Sequence, residues 1–263
     1  MTKTIAFANL KGGTGKTTLC VNIAGYLAKN NQGKVLVVDF DPQANATSGL
    51  GIDGNTLERS IYDALLNECQ GYDGVSIAKI ILETEVKNLH LAPSELNLAV
   101  LPTLLLDVRN RVSVLDRALE PIKKFYEYIL IDVPADSGLF MLNSLRAADR
   151  LVVPLDSSIF ALEALENFKI YCHDIEQISD RALGKLIIVL NRYVKSRNAK
   201  SNKPSPSEEI ESQLKTMSHT LFVVPESALV YQAQQAGLPI SDYAPTSRLG
   251  KAYSAIANYL SMS

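Results

Sequence analysis

Asn9–Leu27 reads NLKGGTGKTTLCVNIAGYL. The run just before it, Thr4–Ala8 (TIAFA), has the short, continuous apolar character of a buried strand. After it, Leu19, Ile23 and Leu27 recur at helical spacing, so a helix is expected over Lys16–Lys29. A strand, a glycine-rich turn and a helix are the context that a phosphate-binding loop requires. Its usual pattern is G-x-x-x-x-G-K-[ST], and Gly15, Lys16 and Thr17 supply the end of it. The opening glycine is missing, since position 10 is Leu10, and an additional lysine, Lys11, stands beside it. Gly12, Gly13 and Gly15 can turn successive backbone N–H groups toward an anion. The start of the helix adds its positive end. Lys16 is expected to reach the β- and γ-phosphates of a nucleotide, and the Thr17 hydroxyl to bind Mg2+. The alternative is a glycine turn with a chance lysine.

The rest of the chain repeats the same alternation. Strands are expected at Val35–Asp39, Leu89–Ala92, Tyr128–Asp132, Leu151–Pro154, Lys185–Leu190 and Leu221–Val224, with helical patterns between most of them, such as Val112–Tyr126 and Ala161–Ile178. Continuous apolar strands separated by helices predict an α/β fold, a mostly parallel twisted sheet covered by helices on both faces. With 263 residues, 47% hydrophobic and 21% charged, the chain has enough apolar mass for a core and is read as a single domain, 1–263, with no helix-turn-helix region ahead of the loop. Cys20, Cys69 and Cys172 have neither metal spacing nor the even count of a disulfide framework, which suggests a reducing cytosol. Signal-peptide features and an apolar run long enough to span a membrane are both missing.

Two further stretches carry carboxylates. Val37–Gly51 (VVDFDPQANATSGLG) places Asp39 and Asp41 at a strand end. Two residues apart, both face one site only if the strand breaks there, and Pro42 favours a break. Asp41 and Asn45 forming a simple turn is the alternative. Tyr126–Gly138 (YEYILIDVPADSG) is an apolar strand ending in Asp132, the arrangement that holds a metal beside phosphates at the carboxyl end of a sheet.

With these motifs in view, KGGTGKTT resembles the deviant Walker A sequence of the ParA/Soj/MinD ATPases, within the larger class of P-loop proteins that includes nitrogenase iron protein. The resemblance runs from Thr4 to about Leu260. It implies that ATP with Mg2+ is bound by Lys11, Gly12, Gly13, Thr14, Gly15, Lys16, Thr17 and Thr18. It implies that Lys11 reaches across a homodimer to phosphates on the other subunit, where a buried triphosphate needs added positive charge. Lys11 as a solvated loop residue is the other reading. By the same resemblance Asp41 positions or activates the attacking water, Asp39 supports Mg2+ and the loop lysines, and Asp132 holds Mg2+ through water. Catalysis would then rest on Lys11, Lys16 and Asp41, with Thr17, Asp39 and Asp132 at the metal. Asn191 would read adenine's edge, with Pro225 and Glu226 in the base pocket or merely in a loop. Two departures stand out: DVPADSG where many relatives have D-x-P-P, and Glu226-Ser227 where many carry an arginine after the proline.

The role of such an ATPase depends on its surfaces. One reading is DNA partitioning, for plasmids or chromosomes: an ATP-bound dimer holds DNA nonspecifically, and a ParB-like or other partner triggers hydrolysis, which is weak without it. The protein would then be cytoplasmic and nucleoid-associated. The other is a positioning switch of the MinD kind, on a membrane, protein cluster or other cargo, without DNA. Arg181–Ser207 holds seven basic residues and no acid, and Lys195, Arg197, Lys200 and Lys203 are the candidate DNA contacts, or else a solvated loop. The formal net charge of −2 confines any DNA affinity to such a patch. SRLGKAYSAIANYLSMS, at the end of the sequence, has its apolar residues at helical spacing but just two basic ones, so it is expected to pack on the domain rather than to anchor a membrane.

Overall fold

In the computed structural model, residues 2–30, 33–179, 182–195, 204–217 and 220–262 are described. Among them run β1 (Lys3–Phe7), β2 (Val35–Asp39), β3 (Leu82–Glu83), β4 (Leu89–Ala92), β5 (Tyr128–Asp132), β6 (Arg150–Leu155), β7 (Lys185–Tyr193) and β8 (Leu221–Pro225). They form one sheet in the order β3-β4-β2-β5-β1-β6-β7-β8. Every pairing is parallel except β3 with β4. The expected sheet is present, with an antiparallel edge that the sequence reading did not anticipate.

Side chains alternate across each strand, so the two faces fill two cores. Ile5, Phe7, Val35, Val37 and Leu130 join one apolar cluster, which the helices α1 (Lys16–Asn30) and Arg248–Met262 complete. Ala6, Ala8, Leu36, Val38 and Ile131 join the other, which takes in Phe168 from the Ala161–Ser179 helix. The Arg248–Met262 helix buries Leu249, Tyr253, Ile256 and Leu260, the packing its spacing predicts.

One expected helix is broken. Val112–Tyr126 divides into a helix over Val114–Leu119 and a 3-10 turn over Glu120–Phe125. Pro121 lacks a backbone N–H to continue the helical ladder, so the chain tightens there.

Register places the chemistry. β5 lies between β1 and β2, with Phe7 and Asp39 paired to Asp132 on its two sides. Two buried carboxylates thus meet at neighbouring strand ends, beside the point where the glycine loop leaves β1.

Candidate functional site

The loop from β1 to α1 is held at both ends. Asn9 is fully buried; its Nδ2 donates to the Pro154 carbonyl at 2.7 Å, and its Oδ1 accepts the Lys11 N–H at 2.9 Å. Gly13 and Gly15 take positive φ of 74° and 96°, which permits the inward turn of the loop N–H groups. A side chain at Gly15 would also strike the Asn191 amide, whose Nδ2 donates to the Thr14 carbonyl at 2.9 Å.

The loop's two lysines point to different places. Lys16 is buried and donates to the carbonyls of Asn9 and Lys11, each at 3.2 Å. Burial lowers its pKa, against the pull of Asp132, Asp41 and Asp136. Lys11 reaches away to Asp156, 2.8 and 3.0 Å from its two oxygens, and to Ser158 Oγ at 2.8 Å. That contact was not read from the sequence. The strand-end position of Asp156 is readable, since LVVPLD is another apolar strand followed by an aspartate, but its pairing with Lys11 is not.

A cleft of about 470 Å3 lies over the loop, with Gly13, Gly15, Lys16, Thr17 and Thr18 on one side and Asp41 on the other. β2 ends at Asp39, so the break near Pro42 is real, and Asp41 turns into this cleft. Its Oδ1 accepts the Gln43 N–H at 2.9 Å, which fixes the turn. Asp39 stays behind it. Asp39 Oδ2 accepts both the N–H and the hydroxyl of Thr47, each at 2.8 Å, and Oδ1 accepts the Asp41 N–H at 3.3 Å. Asp39 therefore ties the Asp41 turn to the helix α2 (Asn45–Gly49). Burial lifts its pKa to about 6 against the Thr47 and Asp41 hydrogen bonds.

Asp132 is different. It is fully buried, and among the described residues neither of its oxygens makes a hydrogen bond of ordinary geometry, although the Thr17 hydroxyl lies near enough to favour its charged form. Burial, and next the charge of Asp39, push its carboxyl well above the usual range; the Thr17 hydroxyl and Lys16 act the other way. A buried carboxylate with so little pairing calls for a cation. The donor set is hard oxygen, and it suits Mg2+, which takes one or two carboxylates and fills its shell with phosphate and water. Among the described residues no group of three or more His, Cys, Asp or Glu forms an all-protein cage.

Asn191, Pro225 and Glu226 come together beside the cleft that Lys16 and Asp41 line, around a smaller cavity of about 130 Å3 that Thr18 and Arg192 also line. Lys195 is exposed just past β7. Arg197, Lys200 and Lys203, like Arg181, lie outside the described residues. Among the described residues no helix is long and apolar enough to cross a membrane.

Comparison with known proteins agrees with this geometry. The model of an AAA domain matches residues 2–188. The sporulation initiation inhibitor protein Soj of Bacillus subtilis (strain 168) is 34% identical over 259 residues, covering 96% of this chain and 96% of that protein. The chromosome-partitioning ATPase Soj of Treponema pallidum (strain Nichols) is 32% identical over 246 residues, covering 92% of this chain and 90% of that one. Among solved structures, cobyrinic acid a,c-diamide synthase from Mycobacterium smegmatis, with a bound ATP analog and magnesium, superposes with a TM-score of 0.81 at 27% identity, over 99% of this chain and 94% of that one. A glycine loop with two diverging lysines, strand-end carboxylates and full-length likeness to Soj lead to one assignment: the chain belongs to the ParA/Soj family of P-loop ATPases.

Proposed function

We propose that the chain works as one ATPase domain that dimerises on binding ATP, holds DNA without sequence preference, and releases it when a partner protein stimulates hydrolysis. The observation that carries this reading is the cleft itself. Lys16 and Thr17 face Asp41 across it, and the carboxylate of Asp132, without a hydrogen bond of ordinary geometry, is buried beneath. The phosphates of ATP would lie along the N–H groups of Gly12–Thr18, with Lys16 swinging from the Asn9 and Lys11 carbonyls onto the β- and γ-phosphates. Thr17 and Asp132 would hold Mg2+, which when bound supplies charge neutralisation of the phosphates. Asp41 orients a water in line with the γ-phosphorus; the new P–O bond forms as the β–γ bridging bond breaks, giving ADP and phosphate. Lys11 leaves Asp156 and adds its charge to the partner subunit's nucleotide.

The full-length similarity to two Soj proteins, one of them a chromosome-partitioning ATPase, supports the partition role over other cargoes. The test is light scattering with ATP, ADP or no nucleotide, followed by retention of the ATP form on DNA of unrelated sequence. A dimer with ATP that binds such DNA supports the reading. A chain that stays monomeric with ATP, for wild type and Asp41→Ala alike, would count against it. An ATP dimer that ignores DNA but floats with lipid vesicles would move the protein to the membrane-positioning class.

A further inference from the structure

The stretch DVPADSG departs from the D-x-P-P of many relatives, and its second carboxylate, Asp136, has no part in the proposed hydrolysis. Asp39 ties the Asp41 turn, Asp41 faces the cleft, and Asp132 lies where Mg2+ fits. Asp136 does none of these. Its neighbour Ala135 lines the cleft, and a side chain at Gly12 would meet that of Ala135 at 3.7 Å. Residues 135–138 therefore form a lip beside the phosphate loop.

The lip is open to solvent and fixed in place. Ala135, Ser137 and Gly138 are exposed, and Asp136 is half-buried. Asp136 Oδ1 accepts the Gly138 N–H at 2.7 Å, and the Tyr171 hydroxyl, on the Ala161–Ser179 helix, donates to the Ser137 carbonyl at 2.8 Å. Among the described residues Asp136 makes no ion pair, so its second oxygen is free. Burial raises its pKa, the Gly138 hydrogen bond opposes that, and the charges of Asp41 and Lys16 both reach it. Asp136 thus stands in the field of the lysine that takes the phosphates, on a rim that a second molecule can touch.

We propose that Asp136 is the docking carboxylate for a second copy of this chain: in the ATP dimer the partner subunit's Lys11 leaves its own Asp156 and pairs with Asp136 as it reaches the phosphates. This rests on the ATP-dimer reading and names the residue that receives the crossing lysine. A lysine that moves gives up a carboxylate at 2.8 Å, and a second carboxylate at its destination replaces the lost pair. The exchange is favourable because a closed interface excludes water, and the new pair is then stronger than the exposed one it replaces. The extra carboxylate of DVPADSG thus gives the two copies a charge contact besides the nucleotide.

The test is a double-mutant cycle with Lys11→Ala and Asp136→Asn. Asparagine keeps the Oδ1 acceptor for the Gly138 N–H, so the lip keeps its turn. Dimer dissociation constants are measured by light scattering with Mg2+ and a non-hydrolysable ATP analogue. Asp136→Asn is expected to weaken the dimer about tenfold in the wild-type background and less than about twofold in Lys11→Ala, where no lysine remains to be lost. An equal loss in both backgrounds would overturn the inference, because a turn or a contact to the chain's own nucleotide acts without Lys11. So would an unchanged or tighter dimer for Asp136→Asn alone. A second measurement covers a Lys11→Ala dimer too weak to weigh. Lys11→Cys and Asp136→Cys chains are mixed and treated with a short bismaleimide; Cys20, Cys69 and Cys172 are buried. The mixed dimer keeps one Lys11–Asp136 pair, and a cross-link between the two variants is expected with the analogue and not with ADP. Its absence with the analogue would overturn the inference. If wild type does not dimerise with the analogue, the ATP-dimer reading falls and takes this inference with it; if wild type dimerises and the cycle is additive, this inference falls alone.

Discussion

The Lys11 ammonium is paired within its own chain: Asp156 Oδ2 lies 2.8 Å from it, and both side chains are about a quarter to a third exposed. Burial alone would raise the Asp156 pKa, yet the Lys11 and Ser158 hydrogen bonds hold it below the ordinary carboxylate range. A lysine that serves the partner subunit must give up this contact first. Under the proposed role of Lys11 the pair would oppose dimerisation, and at this exposure it is worth about 1 kcal/mol or less. Asp156→Asn should lower the ATP concentration at half-maximal dimerisation by up to about fivefold, with stability changed by no more than about 1 kcal/mol. Lys11→Ala should still bind ATP but dimerise poorly. Light scattering across an ATP titration reads both. Normal dimerisation by Lys11→Ala would make Lys11 a loop residue, and unchanged dimerisation by Asp156→Asn would leave the pair a surface contact.

Asp41 enters the cleft on a turn fixed by the Gln43 N–H and tied to Asp39. Its removal leaves the phosphate loop intact. Asp41→Ala should therefore bind ATP with Mg2+ normally while turnover falls about 100-fold or more, the usual loss when a water-positioning carboxylate is deleted. The variant should accumulate as an ATP dimer. Unchanged turnover by phosphate release would transfer the role to another carboxylate of the site.

Much of this site was legible because its residues sit at the ends of strongly patterned elements. Val35–Asp39 and Tyr128–Asp132 have the observed bounds that their continuous runs predict, since strands buried on both faces leave few polar residues inside the run, and Leu89–Ala92 keeps its expected bounds with His90 within it. The carboxylates that end two of them could be named for the same reason. β3 is two residues long and carries no run to read. Tyr253 was legible as core, because its spacing with Leu249 and Ile256 is that of a packed helix face. The Lys11–Asp156 contact spans 145 positions and joins two loops, so it follows from the β1–β6 pairing rather than from any local pattern.

Asp132 offers a test with a sign that ligand binding alone would not have. Folding raises its pKa, so the folded chain takes up a proton there. The wild-type stability from this group is fully present at low pH and is lost as pH rises through the raised value. An amide in its place would not titrate. Nucleotide-free Asp132→Asn should melt above wild type at pH 7.5, by an amount on the order of 1 kcal/mol, and the gap should close toward pH 5. The same variant should lose most of the Mg2+ dependence of ATP binding. A variant less stable than wild type at pH 7.5 would show that the carboxylate has a stabilising partner in the free protein.

The proposed DNA contact would depend on charge that one subunit supplies weakly. The chain carries a net charge of −2, and its basic stretch runs past the exposed Lys195 to Arg197, Lys200 and Lys203. Two such patches on one dimer act together, so DNA affinity should appear with ATP and not with ADP. Phosphate contacts hold no base information, and duplexes of unrelated sequence should bind alike. Each neutralised phosphate releases counterions, so binding should fall steeply between about 50 and 200 mM salt. Changing Lys195, Arg197, Lys200 and Lys203 together to alanine should reduce the salt slope along with the affinity, while ATP turnover without DNA stays at the wild-type rate. Fluorescence anisotropy at several salt concentrations measures both quantities. An unchanged slope would place the DNA contacts elsewhere, because a solvated loop neutralises no phosphate and its removal moves neither number.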